Sequence, residues 1–153
     1  MGPFRFRLAR VMDWYEKQSH LEAERLRMCA GEVVRMQVEI EEYKKDVLAH
    51  QMELLAKPNP EPHELAALGG FQRGARKQEH RMRQNLKKGE EATEKQREIS
   101  QAAEQRVRLI EKLRERRLAE HQYLFDRELE EIASEAYLAR YARELNATGE
   151  SLA

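Results

Sequence analysis

The sequence is poor in the residues that shape compact or disulfide-linked folds. It contains one cysteine, four prolines and seven glycines among 153 residues, and aromatic residues make up only 7%. A single cysteine cannot form an internal disulfide, so a reduced, cytoplasmic setting is expected. Charged residues reach 37%, whereas ordinary soluble domains contain about 25%. This composition favours long, solvated helices over a globular core.

The chain also lacks an excess of charge of either sign and lacks long apolar runs. Basic and acidic residues number 28 each, so no overall field attracts the protein to nucleic acid or to a membrane surface. No stretch approaches the roughly 20 apolar residues that span a bilayer. Arg5, Arg7 and Arg10 interrupt the N-terminal region, which argues against a secretion signal. We therefore expect no membrane insertion and no nucleic-acid partner.

Motifs for catalysis or cofactor binding are missing as well. Gly69 and Gly74 have the spacing of a phosphate-binding loop, but Ala75 and Arg76 stand where lysine and serine or threonine are required. None of the five histidines has another histidine four residues away, which is a spacing that holds zinc on a helix. The sequence predicts a protein that is not an enzyme and that has no cofactor and no metal.

What the sequence does contain is a long apolar stripe with helical spacing. Counting alternately four and three residues from Leu8 to Leu54 gives fourteen positions, of which eleven are apolar. A mean spacing of 3.5 residues turns one face of a helix towards a partner helix, as in a coiled coil. The positions are Leu8, Met12, Tyr15, Ser19, Glu22, Leu26, Cys29, Val33, Met36, Ile40, Tyr43, Val47, His50 and Leu54.

The one strong break in the chain follows at residues 57–62, where three prolines occur within five residues. Because the residue before a proline disfavours the helical conformation, the first helix is expected to span about residues 5–56 and the chain to reverse here. Asn59 is the expected cap of the second helix, with Pro60 in its first turn. That helix is predicted over about residues 60–145, before a frayed tail at 146–153. Its weaker seam comprises Leu65, Leu68, Ala75, Met82, Leu86, Ala103, Val107 and Ile110.

These patterns predict a single all-α domain over residues 1–153, which is an antiparallel two-helix coiled-coil hairpin with a longer, overhanging second helix. If the chain reverses at Asn59, Leu8 lies opposite Ile110. About 35 further residues, or roughly 50 Å of helix, then lack an intramolecular partner. Exposed apolar stripes of this length mark binding surfaces. The residues assigned to this surface are Leu118, Phe125, Leu129, Ile132, Tyr137 and Tyr141.

A basic cluster at residues 72–88 allows two interpretations. It contains seven basic residues and one acidic residue, which gives a net charge of +6. The preferred interpretation is a solvated helix face that pairs with Glu39, Glu41 and Glu42 across the hairpin. The other is a docking patch for an acidic partner or for nucleic acid, although the basic residues are scattered around the helix without interleaved aromatics.

The chain opens with Phe4-Arg5-Phe6-Arg7-Leu8 followed by Asp13, and the second helix carries Glu111-Lys112-Leu113-Arg114-Glu115-Arg116-Arg117. Together with the long charged helices and the proline-broken turn, these stretches resemble the flagellar export protein FliJ family over nearly the whole chain. The resemblance implies a non-catalytic stalk, similar to the central stalk subunit of rotary ATPases, in the flagellar type III protein export apparatus. The implied partners are the export ATPase hexamer, the cytoplasmic part of the export gate and the export chaperones. Such a protein is cytoplasmic and peripherally associated with the inner-membrane export apparatus.

The resemblance also implies roles for individual residues. The termini of stalk-like proteins enter the ATPase ring, so the candidate ring contacts are Phe4, Arg5, Arg7, Arg114, Arg116 and Arg117. The family's gate contact lies nearer the turn, and the matching positions are Tyr43, Phe71 and Ala75. The alternative function is a generic helical adaptor or chaperone of a related secretion system, such as the counterpart of the stalk in the injectisome.

Overall fold

The computed structural model describes residues 2–150 and contains two long helices. Helix α1 spans Ala9–Leu55 (47 residues), helix α2 spans Pro62–Glu150 (89 residues), and no strand occurs among the described residues. The predicted all-α two-helix hairpin with a longer second helix is confirmed. The chain forms two compact units, which we call the hairpin unit, Glu16–Gln105, and the terminal unit, Met1–Tyr15 with Arg106–Ala153.

The outer ends of both helices differ from the predicted boundaries. Helix α1 begins at Ala9 instead of near residue 5, because the preceding residues alternate apolar and charged side chains with the period of an extended chain. Helix α2 continues past the predicted end at residue 145, so residues 146–150 of the predicted frayed tail are helical. The hydroxyl of Thr148 donates a bifurcated hydrogen bond to the carbonyls of Glu144 and Leu145, at 2.9 Å from each. Residues 151–153 lie outside the described residues.

The start of α2 is capped by Glu61, and the predicted cap at Asn59 is wrong. Pro62 occupies the first helical position, where its missing N–H has no helical partner to lose. The backbone N–H of Glu61 donates to the Glu64 carboxylate at 3.1 Å, which is the backward contact of a capping box. The same side chain accepts a hydrogen bond from Lys57 Nζ at 2.8 Å. The Glu64 carboxylate, three residues into the helix, therefore stabilises the first turn of α2.

These contacts make the start of α2 dependent on pH. The hydrogen bond from Lys57, followed by that from the Glu61 backbone, lowers the pKa of Glu64 below its ordinary value of 4.5. A carboxyl whose pKa is lower in the folded state stabilises the fold above its unfolded pKa, and this contribution is lost as the pH falls through the folded pKa. In an NMR titration, we expect the Glu64 carboxyl and the Glu61 amide to change together, with a shared pKa below 4.5.

Replacing Glu64 by glutamine provides the control for this titration. The amide group does not titrate, so the acid-dependent change at the Glu61 amide should disappear. A wild-type Glu64 carboxyl that titrates at or above its ordinary pKa would contradict the capping role.

In the hairpin unit, α1 and α2 run antiparallel. The side-chain amide of Gln96 donates to the backbone carbonyl of Glu22 at 3.2 Å and to its carboxylate at 2.5 Å. Nearer the turn, the rings of His50 and Phe71 lie 4.8 Å apart between centroids. Of the fourteen predicted stripe positions, all but Leu8 and His50 are buried or half-buried. The coiled-coil seam of α1 therefore lies where its spacing predicts.

The seam of α2 also includes small and polar residues that an apolar pattern does not reveal. Thr93 and Ser100 are buried, and the Thr93 hydroxyl donates to the Gly89 carbonyl at 2.8 Å. With Gln96, these residues continue the same four-and-three spacing between Leu86 and Ala103. The small side chains of Thr93 and Ser100 let α1 and α2 approach closely. The four-and-three spacing therefore predicts these seam positions, whereas the residue types do not.

Candidate functional site

The terminal unit contains a non-helical segment, residues 2–8, that lies along α2 and ends in a turn at residues 7 and 8. We call it the N-terminal strap. Its side chains alternate, with Phe4 and Phe6 half-buried and Arg5 and Arg7 exposed. The Phe4 ring meets the edge of the His121 ring at a centroid distance of 5.6 Å. His121 Nε2 lies 3.0 Å from the Gly2 carbonyl, which can only accept, so the imidazole donates this hydrogen bond. The strap is thus held against α2 at its first residues.

A groove of about 540 Å³ runs between the strap and α2. We call it the terminal groove. This volume lies within the range of about 300–1,000 Å³ that is typical of ligand sites. Residues from two distant parts of the sequence form the lining: Phe4, Arg5, Phe6, Arg7 and Leu8 from the strap, and Leu113, Arg117, Glu120, His121 and Leu124 from α2.

The terminal groove combines an apolar lining with an excess of positive charge. Arg117 Nη1 pairs with Glu120 Oε2 at 3.0 Å, which neutralises that arginine in part. Arg5 and Arg7 form no ion pair with a described residue. Two exposed guanidinium groups therefore stand beside apolar side chains, and no described residue supplies an anionic partner. This arrangement fits a segment that carries both apolar and acidic side chains.

The strap covers more of α2 than the sequence predicted. Leu8 was expected opposite Ile110, with the overhang beginning there, but Leu8 lines the groove with Leu113 and the strap reaches Leu124. The physical reason is that an extended chain advances about 3.3 Å per residue, whereas a helix advances about 1.5 Å. A few non-helical residues therefore cover several turns of α2.

Beyond the strap, α2 is solvated on all sides. Every described side chain from Gln122 to Gly149 is exposed, except that of Glu128. Leu118 is half-buried, whereas the other predicted residues of the partner surface are exposed: Phe125, Leu129, Ile132, Tyr137 and Tyr141. The apolar surface of α2 is available to a partner, but it begins at Phe125 instead of Leu118, which is about two turns later than predicted.

The predicted ring contacts fall into two groups. Phe4, Arg5, Arg7 and Arg117 line the terminal groove together. Arg114 and Arg116 are exposed on α2, in the same unit but outside the groove lining. Sequence reasoning missed the α2 side chains that complete the groove: Leu113, Glu120, His121 and Leu124. Continuing the four-and-three spacing beyond Ile110 leads to His121 and Leu124, so that signal was present.

The predicted gate contacts lie in the hairpin unit. Tyr43 and Ala75 line one shallow groove near the turn. Ala75 is only 9% exposed, so its methyl group offers little surface to a partner. Phe71 is half-buried and packs against His50. The structure brings these side chains to one end of the hairpin unit, and their role as a gate contact stays a prediction.

The basic cluster at residues 72–88 does not pair across the hairpin as expected. Glu39 Oε1 lies 3.9 Å from Arg35 Nε, and Glu41 Oε1 lies 3.1 Å from Lys44 Nζ. Both ion pairs are within α1. Side chains three or four residues apart on one helix are close neighbours, so these carboxylates find partners on their own helix. Within residues 2–150, no ion pair joins the cluster to Glu39, Glu41 or Glu42.

No protein-family model, curated protein or solved structure matches this chain. None of the described helices combines the length and the apolar character needed to cross a bilayer. Across the described part of the chain, no three or more His, Cys, Asp or Glu side chains come together in a way that could hold a metal ion. The terminal groove and the exposed surface of α2 are the features on which a function can be based.

Proposed function

We propose that this protein is a non-catalytic stalk of the flagellar type III protein export apparatus. In this role it inserts into the ring of the export ATPase and contacts the export gate and the export chaperones. The observation that supports the proposal is that the two stretches that resemble FliJ lie next to each other in the terminal unit. The strap and residues 113–117 are distant in sequence, yet they contribute to the two walls of one basic, apolar groove.

The proposed mechanism is electrostatic and mechanical. Arg5, Arg7 and Arg117, together with exposed Arg114 and Arg116, bind acidic loops that line the pore of the ring. Such contacts steer association and fix its register more than they add affinity. The end of the hairpin unit at Phe71 contacts the gate, and the seam between α1 and α2 keeps the two helices together under load. The protein acts in the cytoplasm, at the periphery of the inner-membrane export apparatus.

The direct test is to mix the full-length protein with the hexameric export ATPase of the same bacterium. We expect the protein to co-elute with the ATPase and to increase hexamer formation and ATP turnover. Replacing Arg114, Arg116 and Arg117 by glutamate should abolish this stimulation, because like charges then face the acidic loops. The matched control is the double variant Lys95→Glu/Arg97→Glu, which reverses exposed charges in the hairpin unit and should leave stimulation intact.

The alternative function is a helical adaptor or chaperone, which the exposed apolar residues of α2 favour. Leu129 and Ile132 are about half exposed, at 48% and 56%. The variant Leu129→Asp/Ile132→Asp separates the two functions, because an adaptor would lose its client whereas a stalk would still stimulate the ATPase. Absence of both co-elution and stimulation with the wild-type protein would rule out the stalk function.

A further inference from the structure

The terminal unit carries two adjacent segments of opposite charge on α2. The first is the terminal groove, where Arg5, Arg7 and Arg117 outnumber Glu120. The second, residues 125–136, contains five acidic residues and one basic residue, for a net charge of −4. We call it the acidic segment. A surface that is basic in one half and acidic in the other is complementary to itself when two copies are placed in opposite directions.

Both segments present side chains on a common face of α2. Arg117, Leu124, Glu131 and Leu138 follow one another at intervals of seven residues, which is close to two helical turns. Side chains at this spacing lie almost above one another along the helix. The face that forms one wall of the groove therefore continues into the acidic segment, where Glu131 and Leu138 are exposed.

The two segments also match in length. The groove extends along residues 113–124 of α2 and the acidic segment along 125–136, so each covers about 16 Å of helix. An antiparallel pair of α2 helices, related by a two-fold axis near residues 124 and 125, places each acidic segment against the groove of the other copy. The arrangement is closed, because the same surface is used twice.

From this complementarity, we propose that two copies of this chain associate through their terminal units, with the acidic segment of each lying in the terminal groove of the other. Carboxylates of the acidic segment then face Arg5 and Arg7, which have no ionic partner within the described chain. Leu124 and Leu138 add apolar contact along the shared face. A parallel pair would instead place groove against groove, with arginine facing arginine, and is disfavoured by like-charge repulsion.

This dimer does not require the stalk function, and its test uses the isolated protein without the ATPase. Sedimentation equilibrium of the full chain, under reducing conditions, should show a monomer–dimer equilibrium that weakens as the salt concentration rises. The charge-reversed variants Arg5→Glu/Arg7→Glu and Glu131→Arg/Glu135→Arg should each raise the dimer dissociation constant by at least about tenfold, since every reversed charge is used twice in the dimer. All four side chains are exposed, so the helical content seen by circular dichroism should not change.

Mixing the two variants gives the decisive measurement. One variant has an acidic groove and an acidic segment. The other keeps its basic groove, whereas its segment has no net charge and carries the introduced arginines at positions 131 and 135. Neither should pair with itself, but a one-to-one mixture should form a heterodimer. At one contact the glutamates introduced into the strap meet the arginines introduced into the acidic segment, and at the other contact an unchanged basic groove meets an unchanged acidic segment. The variant Lys95→Glu/Arg97→Glu, with charges reversed in the hairpin unit, should dimerise like the wild type.

Three results would overturn the proposal. The first is a wild-type protein that stays monomeric at all concentrations tested, which would leave the acidic segment to a different protein. The second is a dimer whose dissociation constant is unchanged by the charge reversals. The third is a mixture of the two variants that contains no heterodimer, which would exclude the antiparallel contact even if the wild type dimerises.

Discussion

Replacing Ile40 by alanine is expected to lower the free energy of unfolding by about 2–5 kcal/mol. Ile40 is only 4% exposed, and it is the one buried residue of α1. Among the described residues, the buried apolar positions are few: Ile40, Ala75, Ala103 and Ile110. Two of these are alanines that bury little area, so Ile40 and Ile110 are the large apolar side chains that are buried there. Urea unfolding followed by far-ultraviolet circular dichroism measures this decrease in the free energy of unfolding.

Val38 provides the matched control on the same helix. It is another β-branched residue, two positions away, but it is 50% exposed. Replacing it by alanine removes little buried surface and improves helix propensity, so the change should stay within about 0.5 kcal/mol. Equal effects of the two substitutions would show that Ile40 does not lie in the interface between α1 and α2.

A second large effect on stability is expected from replacing glycines in the middle of the helices by leucine, and it should differ between Gly31 and Gly89. A Cβ atom at Gly31 would meet nothing within 4 Å, whereas at Gly89 it would lie 3.3 Å from Met36 Sδ and 3.5 Å from Val33 Cγ2. Leucine at position 31 should stabilise the protein by about 0.5–1 kcal/mol, because glycine is a poor helix former. Leucine at position 89 gains the same propensity but overpacks the seam, which costs about 1–3 kcal/mol.

The comparison isolates packing, since the two substitutions are chemically identical. The variant Gly89→Leu should therefore unfold at a lower urea concentration than Gly31→Leu, with an unchanged slope of the transition. A stabilisation of equal size at both positions would mean that α1 and α2 are not in close contact at Gly89.

The stalk function and the proposed dimer use overlapping surfaces. Arg5 and Arg7 are candidate ring contacts, and in the proposed dimer the same side chains face the acidic segment of the second copy. If both proposals hold, ring binding and self-association compete, and excess ATPase should dissociate the dimer. The dimer would then keep the groove covered until the ring is present. Salt should weaken both the dimer contact and the ring contact.

Much of the fold was predictable because it depends on local periodicity. The four-and-three spacing from Leu8 to Leu54 does not need tertiary information, since a helix with one apolar face must turn that face towards a partner. The prolines at residues 58–62 end the first helix for an equally local reason, which is the steric restriction of the preceding residue. The two-helix architecture and the antiparallel direction follow from these two features.

The candidate site was predictable only in part. Phe4, Arg5, Arg7 and Arg117 could be singled out by resemblance, but nothing in their spacing showed that they line one groove. The small seam residues Thr93 and Ser100 were missed because they are polar, although they are buried where α1 and α2 approach closely. The identity of a residue does not reveal its burial when the neighbouring helix supplies the contact.

The sequence by itself determined that the chain forms two long helices, where they are separated, and which face of α1 is apolar, because these properties depend on residues within a few turns of one another. Only the tertiary structure decided that the strap is not helical and covers α2 as far as Leu124, and that Gly89 lies against Val33 and Met36 whereas Gly31 is open. Those outcomes depend on contacts between residues that are 50 or more positions apart in the chain, such as Gly89 with Met36. No local pattern carries that information.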